Sequence, residues 1–179
     1  MYSITPNAMN RSNGFTLIEL LVTIGIIAVL ATLALPSFRE FNIRMNVSDS
    51  TMGLVHALNL ARTEAVKRGR PVFVESISGN WSNGWVVACE DCVPPDMAND
   101  EQVSEFRKDP SYPVTALGPR VTFNAAGALE SGVATAFRVC RPTEHANAQE
   151  DRIVEVLGSG IVSSRRRGTS DPANPPPSC

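Results

Sequence analysis

Apolar and polar positions change their rhythm twice along the chain. From residue 15 to residue 35 nearly every position is apolar. At 1.5 Å rise per residue, a helix of that length spans roughly 30 Å, the thickness of a bilayer's hydrocarbon core. Thr16, Glu19, Thr23 and Thr32 are the only polar interruptions, and threonine hydroxyls can bond back to helix carbonyls. Pro36 ends the run and predicts a kink there. Beyond it Val47, Thr51, Leu54, Leu58, Ala61 and Ala65 recur at three- and four-residue spacing, while Asp49, His56, Thr63 and Lys67 fall on the other side. That pattern predicts an amphipathic helix half over 36–69. Gly69 stops it, and Lys67 and Arg68 in the last turn suit the helix dipole.

From Pro71 the period shortens. Residues 72–74 and 84–88 read as strands, separated by the turn-prone Ser78-Gly79-Asn80 and Asn83-Gly84. Further strands are expected at 103–106, 112–117, 121–124, 135–139 and 152–157, with a short last one at 161–162. Asn124-Ala125-Ala126-Gly127 reads as a hairpin turn. The acidic segment 90–101, with Pro94-Pro95, reads as a loop, and the proline-rich tail 168–179 as irregular. The expected fold class is therefore α+β: a long N-terminal helix and a β-rich globular domain over 70–167. That domain is large enough for one core but not two.

Glu19 is the anomaly. A carboxylate inside a membrane helix costs a few kcal/mol by insertion scales and usually marks function. A buried core helix would be less uniformly apolar. A secretory signal peptide would be shorter and end in small residues; Ala31-Thr32-Leu33-Ala34 keeps that alternative open. Arg11 is the only charge ahead of the run, which favours a cytoplasmic N-terminus. Arg39 and Arg44 on the far side act against it, and Glu40 offsets one of them.

The stretch Gly14-Phe15-Thr16-Leu17-Ile18-Glu19-Leu20 resembles the N-terminal signature of type IV pilins and of the pseudopilins of type II secretion. Leu58-Asn59-Leu60-Ala61-Arg62-Thr63-Glu64-Ala65-Val66-Lys67-Arg68-Gly69 resembles the L-x-L-A-R-S-E-A-x-x-R-G block of the GspH/FimT group, which includes the FimT/FimU-type minor pilins. Trp81-Ser82-Asn83-Gly84-Trp85 resembles that group's W-x-x-G-W block. The resemblance covers residues 14 to about 90 well and is only general beyond them. It implies the pilin fold and a leader over 1–14, with Met9 as the expected true start. It also implies cleavage after Gly14 by a prepilin peptidase and N-methylation of Phe15. Glu19 would then be the fifth residue of the mature chain and Pro36 would match a helix-kinking proline.

The implied role is structural: a minor pilin, a single-pass inner-membrane protein with its head in the periplasm, that primes pilus assembly near the tip. The pilus could serve twitching, adhesion or DNA uptake. Partners would be the peptidase, other minor pilins and the major pilin, the inner-membrane assembly platform, and membrane lipid before assembly. The alternatives are a minor pseudopilin of type II secretion and a DNA-binding tip pilin for natural transformation. Physically, a carboxylate and a freed α-amine are both unfavourable in lipid, and pairing Glu19 with a neighbour's Phe15 amine relieves both. Glu19 could instead snorkel or stay protonated near the helix end.

Four cysteines, Cys89, Cys92, Cys140 and Cys179, allow three connectivities, and a compartment outside the cytoplasm permits disulfides. Cys89 and Cys92 are close enough to pair in a turn. Cys140 with Cys179 would then tie the tail to the fold, closing a loop of about 40 residues that contributes roughly 3–4 kcal/mol. The resemblance favours this pairing, since many pilins close a C-terminal loop with a disulfide. A zinc site lacks a second paired motif, and no helix N-terminus follows Cys89 as a redox motif would want.

No catalytic constellation is visible. His56 and His145 have no evident partner for acid–base work, and no phosphate-binding glycine loop is present. Neither an enzyme, a metal nor a cofactor is therefore expected. Glu90, Asp91, Asp96, Asp100 and Glu101 do not have EF-hand spacing and read as a solvated loop. Net charge is −2, so nothing global calls for nucleic acid. Some FimT-like members bind DNA through a C-terminal G-R-x-R motif. The aligned Gly160-Ile161-Val162-Ser163 lacks both arginines, and Arg165, Arg166 and Arg167 are the candidate substitutes. The alternative is that these arginines keep an edge strand from pairing.

Overall fold

The computed structural model describes residues 15–92, 100–142, 151–166 and 179, and for 33–36 the backbone alone. The expected leader 1–14 with Gly14 and Met9, residues 93–99 of the acidic loop, His145, Arg167 and the tail 168–178 lie outside the described residues. The chain divides into two compact units, Met1–Phe41 and Asn42–Cys179. One helix, α1 (Leu17–Arg68), contributes to both.

In the first unit the apolar side chains of α1 face outward: Leu17, Ile18, Leu20 and Leu21 are all more than half exposed. The Thr23 and Thr32 hydroxyls donate to the carbonyls of Leu20 and Val29 at 2.8 and 2.7 Å, so their polarity is absorbed by the helix itself. Among the described residues no single helix is long and apolar enough to cross a membrane. The segments Leu17–Thr32 and Ser37–Arg68 meet that requirement together as a bent pair. Pro36, the expected kink, falls at the break between them, within the stretch described for backbone alone.

The second unit is built on the amphipathic half of α1. Val47, Thr51, Leu54, Leu58, Ala61 and Ala65 are all buried, while Asp49, His56, Thr63 and Lys67 are exposed. This is the face that the 3.6-residue period predicts. Against it the described residues form eight strands: β1 (Val72–Ser76), β2 (Gly84–Cys89), β3 (Glu101–Arg107), β4 (Val114–Ala116), β5 (Arg120–Phe123), β6 (Thr135–Val139), β7 (Arg152–Val156) and β8 (Val162–Arg166). They form two antiparallel four-stranded sheets, ordered β3-β2-β1-β5 and β4-β6-β7-β8. Val72, Val74, Phe123, Phe137, Val154 and Val156 join the helix stripe in one core.

Two strands differ from expectation. The strand expected at 112–117 is confined to β4, because Tyr112 is held in the preceding turn. Its hydroxyl accepts from Asn46 Nδ2 at 2.8 Å, and its carbonyl accepts from Lys108 Nζ. The last strand runs on through Arg165 and Arg166. As the outer strand of its sheet it tolerates charge along a face that reaches water.

The W-x-x-G-W block is a packing device. Trp81 donates from Nε1 to the Gly118 carbonyl at 2.8 Å and sits edge-on to Phe137. Trp85 stacks on Phe106 with ring centroids 4.7 Å apart. Gly84 between them has φ +116°, and a Cβ there would meet the Phe106 carbonyl oxygen at 2.0 Å, so β2 and β3 approach as closely as they do only because that position is glycine.

Candidate assembly interface

The expected assembly residues lie at the free end of α1. Phe15 is 87% exposed. The helix begins two residues later, and the Glu19 backbone N–H donates to the Thr16 hydroxyl at 3.3 Å, an N-terminal capping contact. The Glu19 carboxylate has no hydrogen-bond or ionic partner among the described residues. It stands instead in an exposed field of leucine, isoleucine and valine that continues through Leu30. Such a surface is far larger and more apolar than a water-soluble monomer presents. It suits lipid or the packed helices of other chains, and a buried carboxylate there would want a cationic partner.

The Arg62 to Gly69 block is not simply a solvated face. Arg62 Nε donates to the Gly127 carbonyl at 3.0 Å, tying α1 to the turn after β5. Glu64 is only 9% exposed; it accepts from Arg68 Nε at 2.7 Å and from Lys67 at 3.2 Å. Arg68 also reaches Glu101 on β3 at 2.8 Å. Arg68, then Lys67, hold the Glu64 carboxyl below its usual range. Glu101, then Glu64, raise the Arg68 guanidinium. Elsewhere burial lowers Lys108 to about 8. The chain Glu64–Arg68–Glu101 holds the helix end to the first sheet.

Cys89 is joined to Cys92, and Cys140 to Cys179. The first bridge spans a turn in which Asp91 takes φ +50°. There Asp100 Oδ1 accepts from the Asp91 N–H at 3.1 Å and Arg70 donates to the Asp91 carbonyl, so Asp100 serves as a turn acceptor. The second bridge brings Cys179 to β6, with Asp151 beside it: Sγ lies 3.6 Å from Asp151 Oδ2. Cys140, Asp151 and Cys179 present ligand atoms within 4.8 Å of one another, but the two sulfurs are bonded together and the carboxylate is taken up by arginine.

The pairing of that arginine with Asp151 is the feature sequence reasoning missed. Arg138 donates from Nε and Nη2 to Asp151 Oδ2 at 2.9 and 2.6 Å. Arg138 and Asp151 are 7% and 3% exposed. The Arg141 N–H donates to Asp151 Oδ1 at 3.2 Å. The signal was weak, because β6 is buried on both faces and alternation does not mark Arg138 as polar-facing.

The candidate DNA contacts do not form one stripe. Successive strand side chains point to opposite faces. Arg165 pairs with Glu155 at 2.8 Å, whereas Arg166 lies opposite Arg152 in the β7–β8 register. Arg167 lies outside the described residues. Of the histidines, His56 lines a shallow hollow with Trp85 and Phe106 and has no acid–base partner among the described residues.

Residues 50–160 match the family model described as type II transport protein GspH, and residues 9–35 match the prokaryotic N-terminal methylation motif. Among curated proteins, the chain is 34% identical over 88 residues to a type IV major alpha-pilin of Moraxella bovis, covering 49% of this chain and 55% of that one. It is 48% identical over 42 residues to a fimbrial protein of Moraxella nonliquefaciens, covering 24% and 27%. The chain thus spans between about a quarter and just over half the length of these relatives. Among solved structures, it resembles the type IV minor pilin FimU of Pseudomonas aeruginosa, with TM-score 0.57, 17% identity and 70% and 92% of the two chains covered. It also resembles the minor pseudopilin EpsH of Vibrio cholerae, with TM-score 0.51, 14% identity and 68% and 97% covered. The long helix on antiparallel sheets is the pilin fold of those structures, as the sequence led us to expect.

Proposed function

This chain belongs to the GspH family, and from that premise we propose that it is a minor type IV pilin that primes assembly at the pilus tip. The observation that carries the proposal is the exposed apolar end of α1 with its single unanswered carboxylate, Glu19. Prepilin peptidase cuts after Gly14, and the new N-terminus at Phe15 is methylated. The subunit waits as a single-pass inner-membrane protein with its head in the periplasm. At the assembly platform its Glu19 meets the Phe15 amine of a neighbouring pilin, which relieves the cost of both charges. The apolar helix surface is then buried against other pilin helices at roughly 25 cal/mol per Å². Contacts with other minor pilins and the major pilin complete the tip.

A second reading, a minor pseudopilin of type II secretion, is favoured by the description of the matched family and by the likeness to EpsH. Both readings use the same physics, so the discriminating experiment is genetic. A deletion strain is scored for surface pili and twitching and for exoprotein release. Loss of pili with release intact supports the first reading, and the reverse supports the second. Retention of both activities sinks both.

A further inference from the structure

Arginines from α1, β7 and β8 meet at one place beside the core. On α1 the buried row passes through Leu54 and Val47 to Ile43, and the exposed Arg44 lies beside it, one turn before Val47. On β7 the row through Val156 and Val154 ends at Arg152, and the facing row on β8 ends at Arg166, directly opposite Arg152. Arg44, Arg141, Arg152 and Arg166 line one cavity of about 100 Å³, floored by Val47. Among the described residues no carboxylate pairs with Arg152 or Arg166. Like charges directly opposite in a ladder are destabilising; Arg141 beside them is 5% exposed, while Arg44 and Arg166 keep the mouth of the cluster open to solvent. The Asp151 carboxylate, whose Oδ1 accepts from the Arg141 N–H, is held by Arg138.

We propose that this cavity is a site for a single phosphate-class oxyanion, either free phosphate or the phosphodiester of an anionic lipid headgroup. Guanidinium groups match such oxyanions with paired, charge-assisted hydrogen bonds. The cavity, about 100 Å³, has room for one tetrahedral group, since a single water needs only about 10–15 Å³ on that measure. Bound there, the anion neutralises the Arg152–Arg166 repulsion and closes the open end of the core between α1 and the second sheet. The site differs from the arginine triplet considered above, since it takes Arg166 from that run and adds Arg44, Arg141 and Arg152 from elsewhere. It stands whichever filament the chain joins.

The test uses the full chain in nonionic detergent, with thermal unfolding followed in inorganic phosphate and in sodium chloride at matched ionic strength. A parallel arm reconstitutes it in phosphatidylcholine nanodiscs with and without phosphatidylglycerol. The wild type should be stabilised by phosphate beyond chloride, by phosphatidylglycerol beyond phosphatidylcholine alone, or by both; the pattern identifies the source. Arg152→Gln and Arg166→Gln should weaken the response about tenfold or more, whereas Arg107→Gln on β3 should keep it. Without the anion, Arg166→Gln should be at least as stable as wild type, because a repulsion is gone. The proposal is overturned by equal stabilisation in phosphate and chloride together with no phosphatidylglycerol effect. It is also overturned by an undiminished response in the two variants, by an Arg166→Gln chain equally destabilised in every buffer, or by duplex DNA binding where phosphate does not.

Discussion

In the globular unit, the Asp151 carboxylate is 3% exposed and takes two hydrogen bonds from Arg138 and one from the Arg141 backbone. In the N-terminal unit, the Glu19 carboxylate stands among exposed apolar side chains and is answered by nothing in the described chain. The first is buried in the folded head, and the second stands among exposed apolar side chains. One is completed within a single polypeptide and therefore serves stability. The other is left open within the described chain, and on the proposed reading a neighbouring pilin completes it. The head folds against itself, and on that reading the arm is finished by assembly.

That division makes different mutations fail in different assays. The largest expected effect on folding is Asp151→Ala, which leaves Arg138 buried and unpaired and should cost about 3–5 kcal/mol in thermal unfolding of the full chain in detergent. A loss under 1 kcal/mol would mean that the head does not depend on this ion pair. Cys179→Ser opens a loop of sequence separation 39 and should cost about 3–4 kcal/mol in the same measurement. Because Cys179 touches Asp151, the double mutant should lose less than the two costs added. Arg62→Ala removes a charged donor from the Gly127 carbonyl and should cost about 1.5–3 kcal/mol, with faster amide exchange at 124–128 as its local signature.

The effect of pH is smaller. The Glu64 carboxyl is lowered from 4.5 by Arg68 and Lys67. Its stabilisation is therefore complete above the unfolded value near 4.5 and lost as pH falls through the lower folded value. Glu64→Gln should flatten the acid limb of the stability profile, and an unchanged limb would remove that assignment. The smallest effect on folding belongs to Glu19→Ala, within about 0.5 kcal/mol in the head. Yet processing after Gly14 should proceed and incorporation into sheared filaments should fall sharply, read by immunoblot. Normal incorporation would break the contrast between arm and head.

Much of this was legible in the chain. The stripe from Val47 to Ala65 reads directly because one helix face meets one core. Residues 135–139 and 152–156 read as strands because β-branched residues cluster between turn formers. The Trp81 to Trp85 block was visible as a pattern, but its purpose was not, since Gly84 is explained only by the Phe106 carbonyl beyond it. The division into two sheets was also hidden. Strand order depends on which distant partners pair, and local periodicity carries no information about that. For the same reason the meeting of Arg44 with Arg152 and Arg166 could not be read: it needs the register of β7 with β8 and their placement on α1. The end of β8 was drawn too short because arginine reads as a strand breaker when the strand's outer position is unknown.

The contact made by Arg62 has a consequence for how such chains can vary over generations. The carbonyl it holds belongs to Gly127, in the turn after β5, and a Cβ on Gly160, in the turn between β7 and β8, would lie 1.9 Å from that oxygen. A Cβ on Gly127 would in turn meet Val66 at 2.9 Å. Two turns from different sheets, far apart in the gene, are thus bound to a common fate. Gly160 cannot acquire a side chain unless the loop carrying Gly127 withdraws, and Gly127 cannot acquire one unless Val66 on the helix gives way, so inherited change at position 160 is conditional on movement in the turn at 127.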